Sequence, residues 1–367
     1  MLFNLWAHLS YFELARNKLS YFLKDFSGYL ILILTSFILI VFSSIKIFKS
    51  NLINRKKKIY LSLVSTIFII ILLFSFFEAY FRYRYDESDG LGFLKVNERW
   101  HARHVVYNNY FFRDRDFDPN KRAGIVRIGV LGDSIAFGGG IKNVNDRFSN
   151  ILEKKLRDAG KNAQVYNLGT QGYDTGGEIE SYQKVRHLNF DIIVWQYFLN
   201  DIQPYGKSTG TPIIARNSQQ AKIVQFLSNK SFFFDFIYWR LSQRYQKTFD
   251  QLKNADLAQY QNPEVLQKHK EEMSAFIKDL KRENKRIVVI IFPFVHLIGA
   301  DYPATNIHQD LNQFFEQEGV EVINLLDYLK DKKARNLIAS GLDSHPNEAV
   351  HAEAAQKLFE KVMPLLK

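Results

Sequence analysis

At 367 residues the chain has room for one large domain and an appendage, and its 47 % hydrophobic content is ordinary but unevenly spread. The absence of cysteine excludes disulfides and thiolate-ligated metals, and suits an oxidising compartment. A net charge of +11 suggests nucleic acid at first sight, but +7 of it falls in residues 1–58 and only +4 on the rest, so no basic stripe marks the folded part.

Leu2, Leu5, Leu9 and Phe12 recur at helical spacing beside Trp6 and Tyr11, which predicts an amphipathic interfacial segment over 1–25. Phe26–Ile45 and Ile59–Phe77 then contain no charged residue, and each matches the ~20 residues a helix needs to cross a bilayer. Two transmembrane helices are therefore expected within 26–82. Lys46, Lys49, Arg55, Lys56, Lys57 and Lys58 lie between them with no acid, which places that loop in the cytoplasm. Arg16, Lys18, Lys24, Arg82 and Arg84 are the weaker, opposing cue. Everything after Tyr80 then faces outward. A cleaved signal peptide is disfavoured, because no small-residue cleavage site follows a short apolar core.

Residues 83–124 read as a connector that wraps onto the following domain, being too aromatic for disorder, with Tyr107-Asn108-Asn109 and Arg113-Asp114-Arg115-Asp116 within it. From 125 to 367 strands and helices alternate. The strands are expected at Ile125–Leu131, Ala163–Leu168, Ile192–Tyr197, Ile287–Phe292 and Val320–Asn324, with helices between them and at Glu348–Leu365. That alternation predicts a parallel sheet covered by helices on both faces. An insertion at about 203–285 breaks the rhythm and holds Phe226, Phe232, Phe233, Phe234, Phe236, Tyr238 and Trp239. Its aromatics either fill a local core or form a lid that touches membrane or an acyl chain.

Chemistry gathers at the strand ends, where open α/β sheets place their ligands. The first strand stops at Gly132-Asp133-Ser134, the second at Asn167-Leu168-Gly169, the third at Phe198-Leu199-Asn200-Asp201, and Asp343-Ser344-His345 precedes the last helix. Asp133 and Ser134 read equally well as a helix cap. As a nucleophile, however, Ser134 needs a base, and His345 supplies one that Asp343 orients through the other ring nitrogen. The Ser134 and Gly169 amides and the Asn200 side chain suit an oxyanion hole, in which one lost donor typically costs ~2.7–4 kcal/mol of barrier. At Gly169 the missing Cβ would permit close approach of substrate. Asp201 reads as a brace for the Asn200 loop.

This set, Gly132-Asp133-Ser134, Gly169, Asn200 and Asp343-x-His345, resembles the SGNH (GDSL-type) hydrolases, with the four blocks in order from about Arg127 to the C-terminus. The resemblance implies a three-layer α/β/α domain of SGNH/flavodoxin type. It also implies Ser134 as nucleophile, His345 as base, Asp343 as its partner, and no metal or cofactor. Two departures stand out: Phe198 occupies a position where the family commonly has glycine, and Asp343 precedes His345 by two residues rather than three. The anchor and the connector look like a membrane-bound bacterial branch whose members often act on acyl groups of envelope glycans. A Gly-x-Ser-x-Gly elbow is absent, which disfavours the α/β-hydrolase fold.

Other motifs read as structural. Gly138-Gly139-Gly140 lacks the P-loop lysine and is expected to be a flexible turn. His351 is expected to be packed or solvent-facing on the last helix, and His296 to be a satisfied loop histidine, with lining of the cleft as the alternative. His101, His104 and Asp114 lack a diagnostic metal spacing. The expectation is thus a membrane-anchored serine esterase acting on O-acyl, above all O-acetyl, esters of an envelope glycan or glycolipid. An O-acyltransferase using the same serine, a lipase, and a non-catalytic glycan-binding scaffold are the alternatives. No nucleic-acid partner is expected, and nothing indicates an oligomeric state.

Overall fold

Five apolar runs form one parallel sheet: β1 (Val126–Leu131), β2 (Ala163–Asn167), β3 (Ile192–Phe198), β4 (Arg286–Phe292) and β5 (Glu321–Asn324). The computed structural model describes residues 19–49, 54–92, 94–202, 222–241 and 244–366. Strand order is β2-β1-β3-β4-β5, so the chain winds one way from β1 to β2 and the other way from β3 onward. The carboxyl ends of β1 and β3 flank that reversal, the position where a doubly wound sheet opens a crevice.

Helices cover both faces, as the alternation of buried side chains requires. Ile128 and Val130 of β1 join Val194, Val288 and Ile290 in one core, against α5 (Phe148–Asp158) and α12 (Glu348–Val362) through Leu152, Leu156, Ala354 and Leu358. Leu131, Ile193, Trp195, Val289 and Ile291 point the opposite way. They meet α6 (Thr175–Val185), α10 (Pro263–Arg282) and α11 (Thr305–Gln317) through Tyr182, Phe276, Ile277, Leu311 and Phe315. Strands buried on both faces read as unbroken apolar runs, which is why they were visible in the sequence.

The chain divides into two compact units. The larger holds residues 87–92, 104–215 and 246–367, and contains the sheet. The smaller holds 1–86, 93–103 and 216–245. In the smaller unit α1 (Leu19–Phe48) and α2 (Asn54–Ala79) run before a π-helical turn, Tyr80–Arg84. Two spanning helices were expected. The continuous helix Asn54–Arg84 is long and apolar enough to cross a membrane, whereas the apolar stretch described in α1, Leu34–Phe48, is shorter. Arg55 to Lys58 form the first turn of α2 rather than a loop. The interfacial segment expected at 1–25 lies, except for its last residues, outside the described residues.

Part of the aromatic insertion also belongs to this smaller unit, as α3 (Lys95–His104) largely does. It comprises α7 (Lys222–Lys230) and α8 (Phe232–Leu241), and the rest of the described insertion, α9 (Arg244–Tyr260) and α10, lies mainly in the larger unit. Buried Glu78 accepts the Ser231 hydroxyl at 2.6 Å and the Phe232 and Phe233 amides at 3.1 and 2.8 Å, satisfying the amide donors at the start of α8. Phe233 lies among Phe74, Phe77 and Phe81, and Phe236 rests on Phe81 at 4.3 Å between ring centroids. These aromatics therefore fill a local core against α2. Residues 203–221 lie outside the described residues.

Candidate active site

At the end of β1 the chain turns through Gly132 into the short helix α4 (Ser134–Phe137). Asp133 caps it, its Oδ1 accepting the Ile135 amide at 2.8 Å. Both readings of Asp133-Ser134 therefore hold together, since the cap presents Ser134 at the first helical position. There the serine N–H has no intrahelical acceptor. Ser134 Oγ donates to His345 Nε2 at 2.8 Å, while the Asp133 carboxylate is a more distant acceptor at 3.3 Å.

His345 Nδ1 donates to Asp343 Oδ1 at 2.5 Å, and the same oxygen accepts the His345 amide at 3.0 Å. Burial has the largest single effect on both, pushing Asp343 up and His345 down. Their mutual attraction and shared hydrogen bond outweigh it, holding the Asp343 carboxyl below its ordinary value and the His345 imidazole above its own. An ionised Asp343 accepts only, so the ring proton sits on Nδ1 and Nε2 is free to take the serine proton. The two-residue spacing of Asp343 and His345 thus supports the contact that the longer family spacing usually makes.

Sequence reasoning missed the scaffold beneath the serine. Gln196, buried in β3, accepts the Asp133 and Ala136 amides through Oε1 at 3.2 and 3.0 Å. Asn167 at the end of β2 donates through Nδ2 to the Ala136 carbonyl at 2.7 Å and to Ser149 Oγ at 2.7 Å. The only available signal was a polar residue inside an apolar run. The glycine loop after α4 is the expected turn, with Gly138 and Gly140 at positive φ. Its carbonyls bind the buried Arg113 guanidinium, Gly138 O at 2.7 Å and Ile141 O at 2.7 Å, and a Cβ on Gly139 would lie 3.1 Å from the His345 ring. Burial, then the neighbouring Arg147, lowers the Arg113 pKa to about 9.

Gly169 departs from expectation. Its N–H already donates to Asn167 Oδ1 at 2.9 Å, so it is not a free oxyanion donor. A Cβ there would lie 2.3 Å from Phe137 N and 2.5 Å from the Ala136 carbonyl carbon; what approaches Gly169 closely is the backbone of α4, not a substrate. Asn200 is half-buried at the end of β3, and its side chain helps to lower the Asp133 pKa. Asp201 Oδ2 accepts the Phe198 amide at 2.7 Å and its carbonyl accepts the Thr175 amide at 3.2 Å, so it braces the Asn200 loop. Behind these groups, burial raises Asp133, Glu178 and Asp201 above ordinary carboxyl values, and Glu178 holds Trp195 Nε1 at 2.7 Å.

The remaining candidates have other work. His351 is fully buried, accepting the Phe148 amide on Nδ1 at 3.1 Å. Asp114 binds Arg147 and the Asn167 amide, and no cluster of three metal-ligating side chains occurs among the described residues. His296 lies between the rings of Phe249 and Phe294 at centroid distances of 5.0 and 5.8 Å. Burial lowers its pKa to about 4.

A serine, an imidazole and a buried carboxylate in series at the switch point of a doubly wound sheet mark the class of serine ester hydrolases. The chain belongs to the GDSL-like lipase/acylhydrolase family, whose model matches residues 130–353. Among solved structures it is similar to TesA, at 13 % identity over 65 % of this chain and 99 % of that one, with a TM-score of 0.41. The lipase/acylhydrolase from Enterococcus faecalis is similar at 13 % identity over 66 % of this chain and 97 % of that one, TM-score 0.41. The acetyl xylan esterase AlAXEase is similar at 14 % identity over 65 % of this chain and 100 % of that one, TM-score 0.41. No curated protein matches the chain in sequence.

Proposed function

We propose that the chain is a membrane-anchored serine esterase that removes short O-acyl groups, acetyl above all, from glycans or glycolipids on the outer side of the membrane. The observation that carries the catalytic reading is the Asp343–His345–Ser134 relay, with contacts of 2.5 and 2.8 Å. Ser134 Oγ attacks the acyl carbon while its proton passes to His345 Nε2. The Ser134 N–H and the Asn200 amide take the negative charge of the tetrahedral intermediate. As the intermediate collapses, His345 returns the proton to the departing sugar oxygen and leaves acyl-Ser134. Water, deprotonated by His345, then releases the acid. A sugar hydroxyl in place of that water would make the same protein an acyltransferase.

The anchoring part rests on the helix Asn54–Arg84 and on the cluster Arg55 to Lys58 at its start, which favours a cytoplasmic N-terminal end for that helix. The glycan part draws on the resemblance to a membrane-bound branch that often acts on acyl groups of envelope glycans.

Fluorophosphonate labelling of the full chain in detergent tests the catalytic reading, beside Ser134→Ala and His345→Ala. Labelling and acetyl-ester hydrolysis are expected in the wild type and in neither variant. A wild type that neither labels nor cleaves acetyl esters would point to a binding role. Preference for long-chain over acetyl esters would point to a lipase. Acyl-sugar as the main product with an acceptor present would establish transfer.

A further inference from the structure

His345 occupies one oxygen of Asp343, and the other is held from a different part of the chain. Asp343 is 1 % exposed, so an unpartnered carboxylate oxygen there would be costly. Oδ2 accepts a hydrogen bond from Ser88 Oγ, itself buried. The segment carrying Ser88 lies along the Asp343 loop. Gly90 N–H donates to Leu342 O at 3.1 Å, and a Cβ on Gly90 would stand 3.3 Å from both Asp343 Oδ1 and Ser344 N. Leu91 N–H folds back to Asp89 Oδ1 at 2.9 Å and Gly92 N–H to Asp89 O at 3.0 Å, which closes the turn. From the remaining side, a Cβ on Gly140 would lie 3.3 Å from Asp343 Oδ2.

We propose that Ser88 is a positioning residue of the reaction, whose hydroxyl fixes the Asp343 carboxylate and thereby the orientation and basicity of His345. The proposal rests on the Ser134–His345–Asp343 assignment. Ser88 stands outside the stretch 130–353 that matches the family, four residues beyond the end of the helix Asn54–Arg84. The relay is therefore completed by chain that the family domain does not include. With both oxygens bonded, the carboxylate plane cannot rotate, and the imidazole is held with Nε2 toward Ser134. The hydroxyl also sets a balance. It stabilises the Asp343 charge more when His345 is neutral than when an imidazolium already neutralises it, so it restrains the rise in the His345 pKa. Other groups act on the same imidazole: Asp343, Asp133 and Asp89 favour its protonation, and His296 and His351 lie within its field.

The test is steady-state hydrolysis of an acetyl ester by the full chain across pH, with a double-mutant cycle. Ser88→Ala is expected to lower kcat on the order of tenfold, the scale of a lost hydrogen bond to a charged group, with KM little changed. The acid limb of kcat/KM should move to higher pH, and Ser88→Thr, which keeps the hydroxyl, should recover much of kcat. In an Asp343→Asn background the Ser88→Ala effect should largely disappear, because Ser88 acts through that carboxylate. Wild-type kcat and pH profile in Ser88→Ala, or a full-sized further loss on top of Asp343→Asn, would overturn the proposal while leaving the relay intact. Activity that survives Ser134→Ala or His345→Ala would overturn the relay and this proposal together. If Ser88→Ala lowers Tm too far to compare, Ser88→Cys, near in size but a weak donor, gives the same contrast with the same outcomes.

Discussion

Gln196 offers a way to ask whether the serine turn is held from below. Gln196→Met keeps the length of the side chain and removes its hydrogen bonding. The Asp133 and Ala136 amides, now bonded to Oε1 at 3.2 and 3.0 Å, would lose their acceptor in a buried place. Each orphaned group costs about 1–3 kcal/mol, so the loss is about 2–6 kcal/mol. Gln196 Nε2 is itself buried without a partner among the described residues, and removing it returns about 1–3 kcal/mol. The net destabilisation is then about 1–3 kcal/mol, a fall of roughly 2–12 °C in Tm for a domain of this size. Both orphaned amides flank Ser134, so kcat should fall further than stability alone explains, since a shift of about 1 Å in a reacting group can cost about 10²-fold. Thermal melting and fluorophosphonate labelling rate, read together on the full chain, test this. Gln196→Glu makes the contrast: it keeps an acceptor, and its Tm should drop as pH rises, because ionisation would place a second charge beside Asp133. A Gln196→Met protein that melts and labels like wild type would show that the backbone of β1 and α4 holds the turn alone, and the reasoning would fail.

Three other outcomes follow from the same geometry. His345 must be neutral to accept the serine proton, so kcat/KM should rise with pH through a value above the ordinary imidazole pKa of 6.5. Asp343→Asn removes the charge that raises it. That variant's acid limb should shift to lower pH while kcat falls by up to roughly 10⁴-fold, and an unmoved limb would detach Asp343 from His345. Gly169→Ala would force a methyl against Phe137 N at 2.3 Å. It should cost about 1–3 kcal/mol of stability and lower kcat more than it raises KM; a pure KM effect would mean that Gly169 faces substrate instead.

The sheet was readable because buried parallel strands are apolar runs of the right length. The expected strand at Ile125–Leu131 is β1 at Val126–Leu131, and that at Ile287–Phe292 is β4 at Arg286–Phe292. Ser134, His345 and Asp343 were readable because a hydroxyl, an imidazole and a carboxylate at strand ends carry chemistry on their face. Gly169 was seen but misread. A glycine announces that something comes close, and sequence cannot say whether it is a substrate or the protein's own backbone. Gln196 and Ser88 were overlooked for a different reason: a lone polar residue in an apolar strand says nothing of what it bonds, and a serine in a connector has no local pattern. Their roles exist only through contacts 60 and 255 residues away in sequence.

Those distant contacts are consequences of register. Val130 of β1 pairs with Asn167 of β2, and Leu131 pairs with Trp195 of β3. Gln196, the next residue along β3, therefore comes level with Gly132, where the chain leaves the sheet, and a Cβ on Gly132 would sit 2.3 Å from Gln196 Oε1. The two strands that flank β1 thus each deliver one carboxamide to the turn that carries Ser134, Asn167 from one side and Gln196 from the other. Because strand side chains alternate, a slip of one residue in either pairing would send that carboxamide to the opposite face. A slip of β3 would also set Trp195 against the wrong helix layer and strand Glu178, whose buried carboxyl accepts the indole N–H. The packing of the core and the placement of Ser134 are therefore specified by the same alignment.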